Sequence, residues 1–342
     1  MQTTITQMRR EIEEIPVAVA RLLDEGASAT KEIAAEIARR DPRFLMSVAR
    51  GSSDHACTYL KYASELLFGL PMASVGPSVA SIYGTKLKAN GTLCIAVSQS
   101  GKSPDIVDLT RNARESGAFA VAITNDTASP LAEAASATLG IHAGPELSVA
   151  ATKTFVTSIV AGLWVMAEWK NDKELIAAIR ALPEALDHAT RCDWSSLVEA
   201  ITGDNLFTLG RGPSWAISNE AALKFKETCQ IHAESYSSAE VLHGPVSIVD
   251  TGFPVIGFAA ADKAEAALVD VAEQIAQKGA RVFVTSDRVR QAERLDHVRT
   301  RHWLTDPISL IVSFYAMVEQ VAARRGINPD APRHLRKVTE TL

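Results

Sequence analysis

Short apolar runs alternate with longer amphipathic stretches through most of the chain. Leu45 to Ala49, Thr92 to Val97 and Ala118 to Thr124 read as strands, and helices are expected near Asp54 to Leu67 and from Ser103 onward. That rhythm predicts an α/β fold, a parallel sheet covered by helices on both faces. After Trp169 the pattern begins again.

The second half echoes the first. Ala-Arg-Gly-Ser-Ser at 49–53 matches Gly-Arg-Gly-Pro-Ser at 210–214, and Leu93 to Val97 matches Pro254 to Phe258, both at an offset of 161. Gly117-Ala-Phe-Ala-Val matches Gly279-Ala-Arg-Val-Phe at an offset of 162. A nearly constant offset over three strand starts predicts an internal duplication. The expected organisation is an N-terminal helical segment over 1–34, a first domain over 35–170, a charged helical connector over 171–197 and a second domain over 198–325. A C-terminal tail over 326–342 completes it. The connector contains Pro183 but no Gly/Ser-rich tract, so the halves are expected to pack together.

Two stretches suggest helices of opposite character. The N-terminus, MQTTITQMRREIEEIP, has charges where a signal peptide needs an apolar core and reads as a polar helix. Phe155 to Trp169 is apolar but interrupted by Thr157, Ser158 and Glu168, and reads as a buried helix.

Composition narrows the ligand class. With 47% hydrophobic and 22% charged residues, the 342-residue chain has the make-up of a globular protein. A net charge of −5 and an isoelectric point near 5.9 offer no broad attraction to nucleic acid or an anionic membrane. Any phosphate must be held locally, and the partner is expected to be a small molecule. Cys57, Cys94, Cys192 and Cys229 form no CxxC pair and no metal-ligand spacing. They are expected to be reduced thiols of a cytoplasmic protein, with no metal and no organic cofactor.

The candidate chemistry begins at Thr92-Leu-Cys-Ile-Ala-Val-Ser-Gln-Ser-Gly-Lys-Ser-Pro-Asp. Ser98, Ser100 and Ser103 supply hydroxyls, Gly101 lets backbone amides approach, and the following helix start favours an anion. Ser103 could instead be an ordinary cap to a helix opening Pro104-Asp105. Ser52 and Ser53 follow the first strand, and parallel strands deliver their C-terminal ends to one edge, so two serine loops can enclose one phosphate.

Arg50-Gly-Ser-Ser, Ser98-Gln-Ser-Gly and Ser148-Val-Ala-Ala-Thr-Lys-Thr-Phe resemble the successive motifs of the sugar isomerase (SIS) family. Gly210-Arg-Gly, Glu220-Ala-Ala-Leu-Lys-Phe-Lys-Glu, Ile231-His-Ala-Glu and Leu242-His-Gly-Pro resemble the isomerase half of the glucosamine-6-phosphate synthases within it. The resemblance implies two tandem SIS domains, each a flavodoxin-like three-layer α/β/α unit. It implies that Ser53, Ser98, Gln99, Ser100 and Ser103 hold the sugar phosphate and nearby hydroxyls, with Val149 and Ala151 lining the sugar; Ser52, from the same first-strand loop, is a further expected contact. It further implies Glu227 as the base, Lys224 as its helix neighbour, His243 for ring opening and Lys337 as the tail residue that closes the site. His232 is expected to give structural support only.

The residues are compatible with those roles. Lys224 and Glu227, three apart on a predicted helix, share a face, although such spacing commonly gives an exposed ion pair. One carboxylate can take the C2 proton of an open-chain aldose and return a proton to C1, and a loop histidine titrates near neutrality. The chain begins Met1-Gln2-Thr3 and its first cysteine is Cys57, so the expectation is a sugar-processing half without a glutaminase.

The favoured activity is therefore deamination of an amino-sugar phosphate, glucosamine 6-phosphate first, to the ketose phosphate. A plain aldose–ketose isomerase, a transaminase using external amine, a phosphosugar deglycase and a noncatalytic sugar-phosphate sensor are the alternatives. Lys102, Ser103 and Ala151 depart from the synthase pattern, where glutamate, threonine and serine are usual, and leave the sugar open. The family also implies a homodimer whose active site receives the loop histidine from the neighbouring subunit.

Overall fold

The computed structural model describes residues 5–337. The chain forms two compact units. One contains Val17–Glu146, Lys153–Arg180 and residues 336–337; the other contains residues 5–16, Leu147–Thr152 and Ala181–Leu335.

The first unit is built on β1 (Phe44–Val48), β2 (Met72–Ser74), β3 (Thr92–Val97), β4 (Phe119–Thr124) and β5 (Ala137–Gly140), all parallel, in the order β2-β1-β3-β4-β5. Every residue of β3 and β4 is buried, as expected of central strands covered on both faces. The apolar stretch beginning at Phe155 lies in the helix Lys153–Lys170, which packs against the helices Ala27–Arg40 and Ser52–Phe68. Its residues through Ala167 are buried on all sides.

The second unit contains β6 (Asn205–Gly210), β7 (His232–Ser237), β8 (Pro254–Gly257), β9 (Arg281–Val284) and β10 (Glu293–Arg294), again all parallel. Their order is β10-β9-β8-β6-β7, the same topology as the first sheet when read from its other edge. Its central helix, Asp306–Arg324, packs against Pro213–Lys224, Leu182–Ala189 and Gln7–Glu13.

The duplication extends to backbone conformation. Gly51 has φ 56° and ψ −133°, and Gly212 has φ 58° and ψ −137°, each just before the helix that follows its first strand. Gly117 and Gly279 share φ 96° before β4 and β9. Residues with side chains avoid these conformations, so the same glycine requirement is written twice.

The N-terminal region differs from a polar helix. It forms Gln7–Glu13, Ile15–Glu25 and Ala27–Arg40. Ile12, Ile15, Val19 and Leu22 recur at helical spacing and are fully buried. The surrounding charges obscured that stripe. Three of the four cysteines are buried and all four are free thiols. Burial pushes Cys94 up to about 12 and Cys229 to about 11. Among the described residues, no helix is long and apolar enough to cross a membrane.

Candidate active site

In a sheet of order 2-1-3-4-5, the chain leaves in opposite directions from its first and third strands, opening a crevice at their C-terminal ends. In the first unit those ends carry Arg50–Ser53 and Ser98–Ser103. Val48 lies beside Ala96 in the parallel register, so Arg50 and Ser98 leave the sheet as neighbours.

Ser52 and Ser53 open the helix Ser52–Phe68 behind Gly51, and both are half-buried. The Ser98–Ser103 loop turns tightly at Gly101, which has φ 63°. A Cβ there would come within 2.5 Å of Ser129 Cβ. The Gly101 amide donates to Ser98 Oγ at 3.2 Å and the Lys102 amide to Ser100 Oγ at 3.3 Å. Gln99 and Ser100 are half-buried, while the Gln99 carbonyl accepts from the Asn125 amide.

Ser103 occupies the N-cap position of Pro104–Glu115, but its side chain makes no capping bond. The ordinary capping role considered for it is therefore not made, and the hydroxyl stands at a helix N-terminus suited to an anion. Asp105, in the first turn, accepts from Arg50 Nε at 2.7 Å and Nη2 at 2.6 Å, tying the two serine loops together.

The same unit contains Lys337. Its Nζ lies 2.9 Å from Oε2 of buried Glu146, which also accepts from the Thr154 amide at 3.0 Å and hydroxyl at 2.6 Å. Burial raises the Glu146 carboxyl, but Lys337 and Thr154 outweigh it and hold the group below its ordinary value. Sequence reasoning missed Glu146; its isolation in the apolar approach to Ser148 was the available signal.

The second unit contains Lys224 and Glu227. Lys224 ends the helix Pro213–Lys224, and Phe225–Cys229 continues as one wider π-helical turn, closed by left-handed Gln230. Such turns recur at functional sites. Lys224 Nζ lies 2.5 Å from Glu227 Oε2 and 3.2 Å from Glu220 Oε1, and Tyr315 donates to Glu220 Oε1 at 3.1 Å.

The side chains of Lys224 and Glu220 are fully buried, whereas that of Glu227 is 20% exposed. Burial disfavours the Lys224 ammonium, but attraction from Glu220 and Glu227 more than offsets this and raises its pKa. The cluster therefore holds one cation between two carboxylates, with Glu227 the carboxylate that reaches outward. This is not the exposed ion pair that the spacing commonly gives. Glu220 lies in the same motif, but an acid beside alanines gives no sequence sign of full burial.

Other predicted residues in this unit are placed separately. His243 is exposed on the turn before Gly244, and its ring makes no hydrogen bond or ion pair with the described residues. His232 is also exposed, 3.6 Å from Glu234.

Val149 and Ala151 are half-buried in Leu147–Thr152. Buried Glu11 accepts from the Leu147 amide at 2.5 Å and the Ser148 amide at 3.3 Å. Asp330 accepts from Ser148 Oγ at 3.5 Å and from the Gln7 and Met8 amides at 2.8 Å.

The corresponding loop of the second sheet lacks the serines. It reads Ala259-Ala260-Ala261, the Ala259 amide donates to Thr285 Oγ1, and the Ala261 amide donates to Asp306 Oδ2. Arg299 lies against this loop, donating to the Ala259 carbonyl at 2.8 Å and pairing with Glu265 at 2.8 Å. The duplicated loops thus differ: one carries serine hydroxyls, and the other lacks them and is hydrogen-bonded by Thr285, Asp306 and Arg299.

The SIS domain profile matches residues 40–167 and 202–324. The glutamine–fructose-6-phosphate aminotransferase [isomerizing] of Sulfolobus acidocaldarius is 30% identical over 340 residues, covering 96% of this chain and 56% of the relative. The protein of the same name from Symbiobacterium thermophilum is 32% identical, covering 89% of this chain and 52% of the relative. The chain thus spans just over half the length of these curated relatives.

A solved structure of a candidate phosphosugar isomerase from Silicibacter pomeroyi DSS-3 is 65% identical, with a TM-score of 0.93, covering 95% of this chain and all of that one. The glucosamine-6-phosphate deaminase of Thermotoga maritima shares the fold, with a TM-score of 0.78 at 18% identity, covering 98% of this chain and 100% of that one. With matched motifs in both halves and two sheets of one topology, the chain belongs to the SIS domain family and carries two SIS regions.

Proposed function

We propose that the chain isomerises and deaminates an amino-sugar phosphate, with glucosamine 6-phosphate as the first substrate to test. The observation that carries this reading is Glu227, an outward-reaching carboxylate fixed by a fully buried ammonium. Proton transfer at carbon needs such a positioned base. Relatives named as isomerizing aminotransferases of fructose 6-phosphate support an amine-bearing sugar over a plain one.

In the proposed reaction, His243 opens the sugar ring and Ser52, Ser53, Ser98, Gln99, Ser100 and Ser103 hold the phosphate and adjacent hydroxyls. Val149 and Ala151 line the sugar. Glu227 takes the proton from C2 of the open-chain aldehyde, giving an enolamine, and returns a proton to C1. The resulting C2 iminium adds water and expels ammonia, leaving fructose 6-phosphate. Lys224 keeps Glu227 oriented through both proton transfers, and Lys337 acts from the tail, with Glu146 fixing its ammonium.

The proposal places this chemistry in a cytoplasmic homodimer, with His243 supplied by the neighbouring subunit. Mixing Glu227→Gln and His243→Ala subunits is expected to restore part of the activity that each variant lacks; no restoration in a proven mixed dimer would contradict the shared site.

The activity is tested by incubating the purified protein with glucosamine 6-phosphate and measuring ammonia and fructose 6-phosphate together. Equal release of both is expected. Fructose 6-phosphate formation that requires an added amine acceptor would favour amine transfer, and absence of ammonia from a panel of amino-sugar phosphates would rule out deamination.

A further inference from the structure

The roles above leave the charged pair within the cradle unused. Asp105 has a side chain with no solvent exposure and sits in the first turn of the helix whose N-terminus faces the Ser98–Ser103 loop. A carboxylate there opposes an incoming phosphate, because both compete for the same positive helix end. Arg50 answers it from the other serine loop with Nε and Nη2. The Arg50 side chain is nevertheless 50% exposed, and its Nη1 has no partner among the described residues. Lys102, the other cation of the loop, is more exposed and lies 3.9 Å from Asp126.

We propose that Arg50 is a direct phosphate-binding residue of the cradle, with Asp105 as the positioning residue that fixes its guanidinium. The proposal rests on the phosphosugar reading and assigns that site an additional contact. A guanidinium clamped on one edge by a buried carboxylate is already ordered, and its remaining edge can offer charge-assisted hydrogen bonds to phosphate oxygens. Pairing Asp105 with Arg50 also offsets the repulsion that this carboxylate would otherwise present to a phosphate at the helix N-terminus.

Calorimetric titration with glucosamine 6-phosphate, inorganic phosphate and unphosphorylated glucosamine separates the possibilities. Arg50→Ala alone takes the paired cation from a buried carboxylate, so the decisive variant is Arg50→Ala with Asp105→Asn, checked by its thermal unfolding midpoint. Glucosamine 6-phosphate is expected to bind this double variant about tenfold to a hundredfold more weakly than wild type, the loss typical of a charge-assisted contact. Arg50→Lys, which retains charge without the fork, should fall between them.

Wild-type affinity in the double variant would overturn the proposal, showing that Arg50 only neutralises Asp105. Equal binding of glucosamine and glucosamine 6-phosphate by wild type would instead overturn the phosphate cradle itself, and this proposal with it.

Discussion

Lys224 Nζ is held 2.5 Å from Glu227 and 3.2 Å from Glu220, with its side chain wholly buried. Removing the cation leaves two carboxylates facing each other. Lys224→Met should destabilise the protein by about 3–5 kcal/mol, the usual cost of breaking a buried ion pair. Glu227→Gln should change stability far less, because this carboxylate reaches solvent, while lowering turnover by about a hundredfold or more. Denaturant unfolding and kinetics on both variants separate positioning from catalysis. Loss of activity in Glu227→Gln only in proportion to lost folded protein would contradict the catalytic assignment.

The Glu146–Lys337 pair predicts an acid-sensitive contribution to stability. Because the folded state holds Glu146 below the ordinary 4.5, its contribution is fully present above that value and is lost as pH falls through the lowered folded value. Urea unfolding should show Glu146→Gln less stable than wild type at neutral pH. The gap should narrow in acid as the wild-type carboxyl protonates. A gap that widened in acid would give the shift the wrong sign.

Two glycines of the cradle should respond differently to alanine. Gly51 has φ 56°, but a Cβ there meets nothing within 4 Å, so Gly51→Ala carries backbone strain alone, about 1–3 kcal/mol. At Gly101 the same substitution adds collision with Ser129 and must displace the Ser98–Ser103 loop. Gly101→Ala should therefore cost more stability than Gly51→Ala and weaken glucosamine 6-phosphate binding more. Equal binding losses would indicate that Gly101 is not shaping the cradle.

The parts legible in the sequence were those written by local pattern. Leu93 to Val97 is an unbroken apolar run that ends at Ser98, and its short length places the serines at a strand end. Repetition of Gly51 at Gly212, and of Gly117 at Gly279, exposed the duplication because these backbone conformations restrict residue choice. The N-terminal stripe of Ile12, Ile15, Val19 and Leu22 was present but diluted by exposed charges.

What remained hidden depended on distant partners. Glu220 and Glu146 look like any other acids until Tyr315 and Lys337 are brought to them, nearly a hundred and nearly two hundred residues away in sequence. The π-helical turn at Phe225–Cys229 has no periodic signature over so few residues. Arg50 was visible within its motif, but its partnership with Asp105 follows from the register of β1 beside β3.

The most direct test of the account is turnover of glucosamine 6-phosphate deuterated at C2, compared with the unlabelled sugar, in wild type and Glu227→Gln. The account predicts slower turnover of the deuterated sugar, loss of the label from C2 or its passage to C1, and no C2–H cleavage in the variant. Undiminished C2–H cleavage in folded Glu227→Gln would contradict Glu227 as the base.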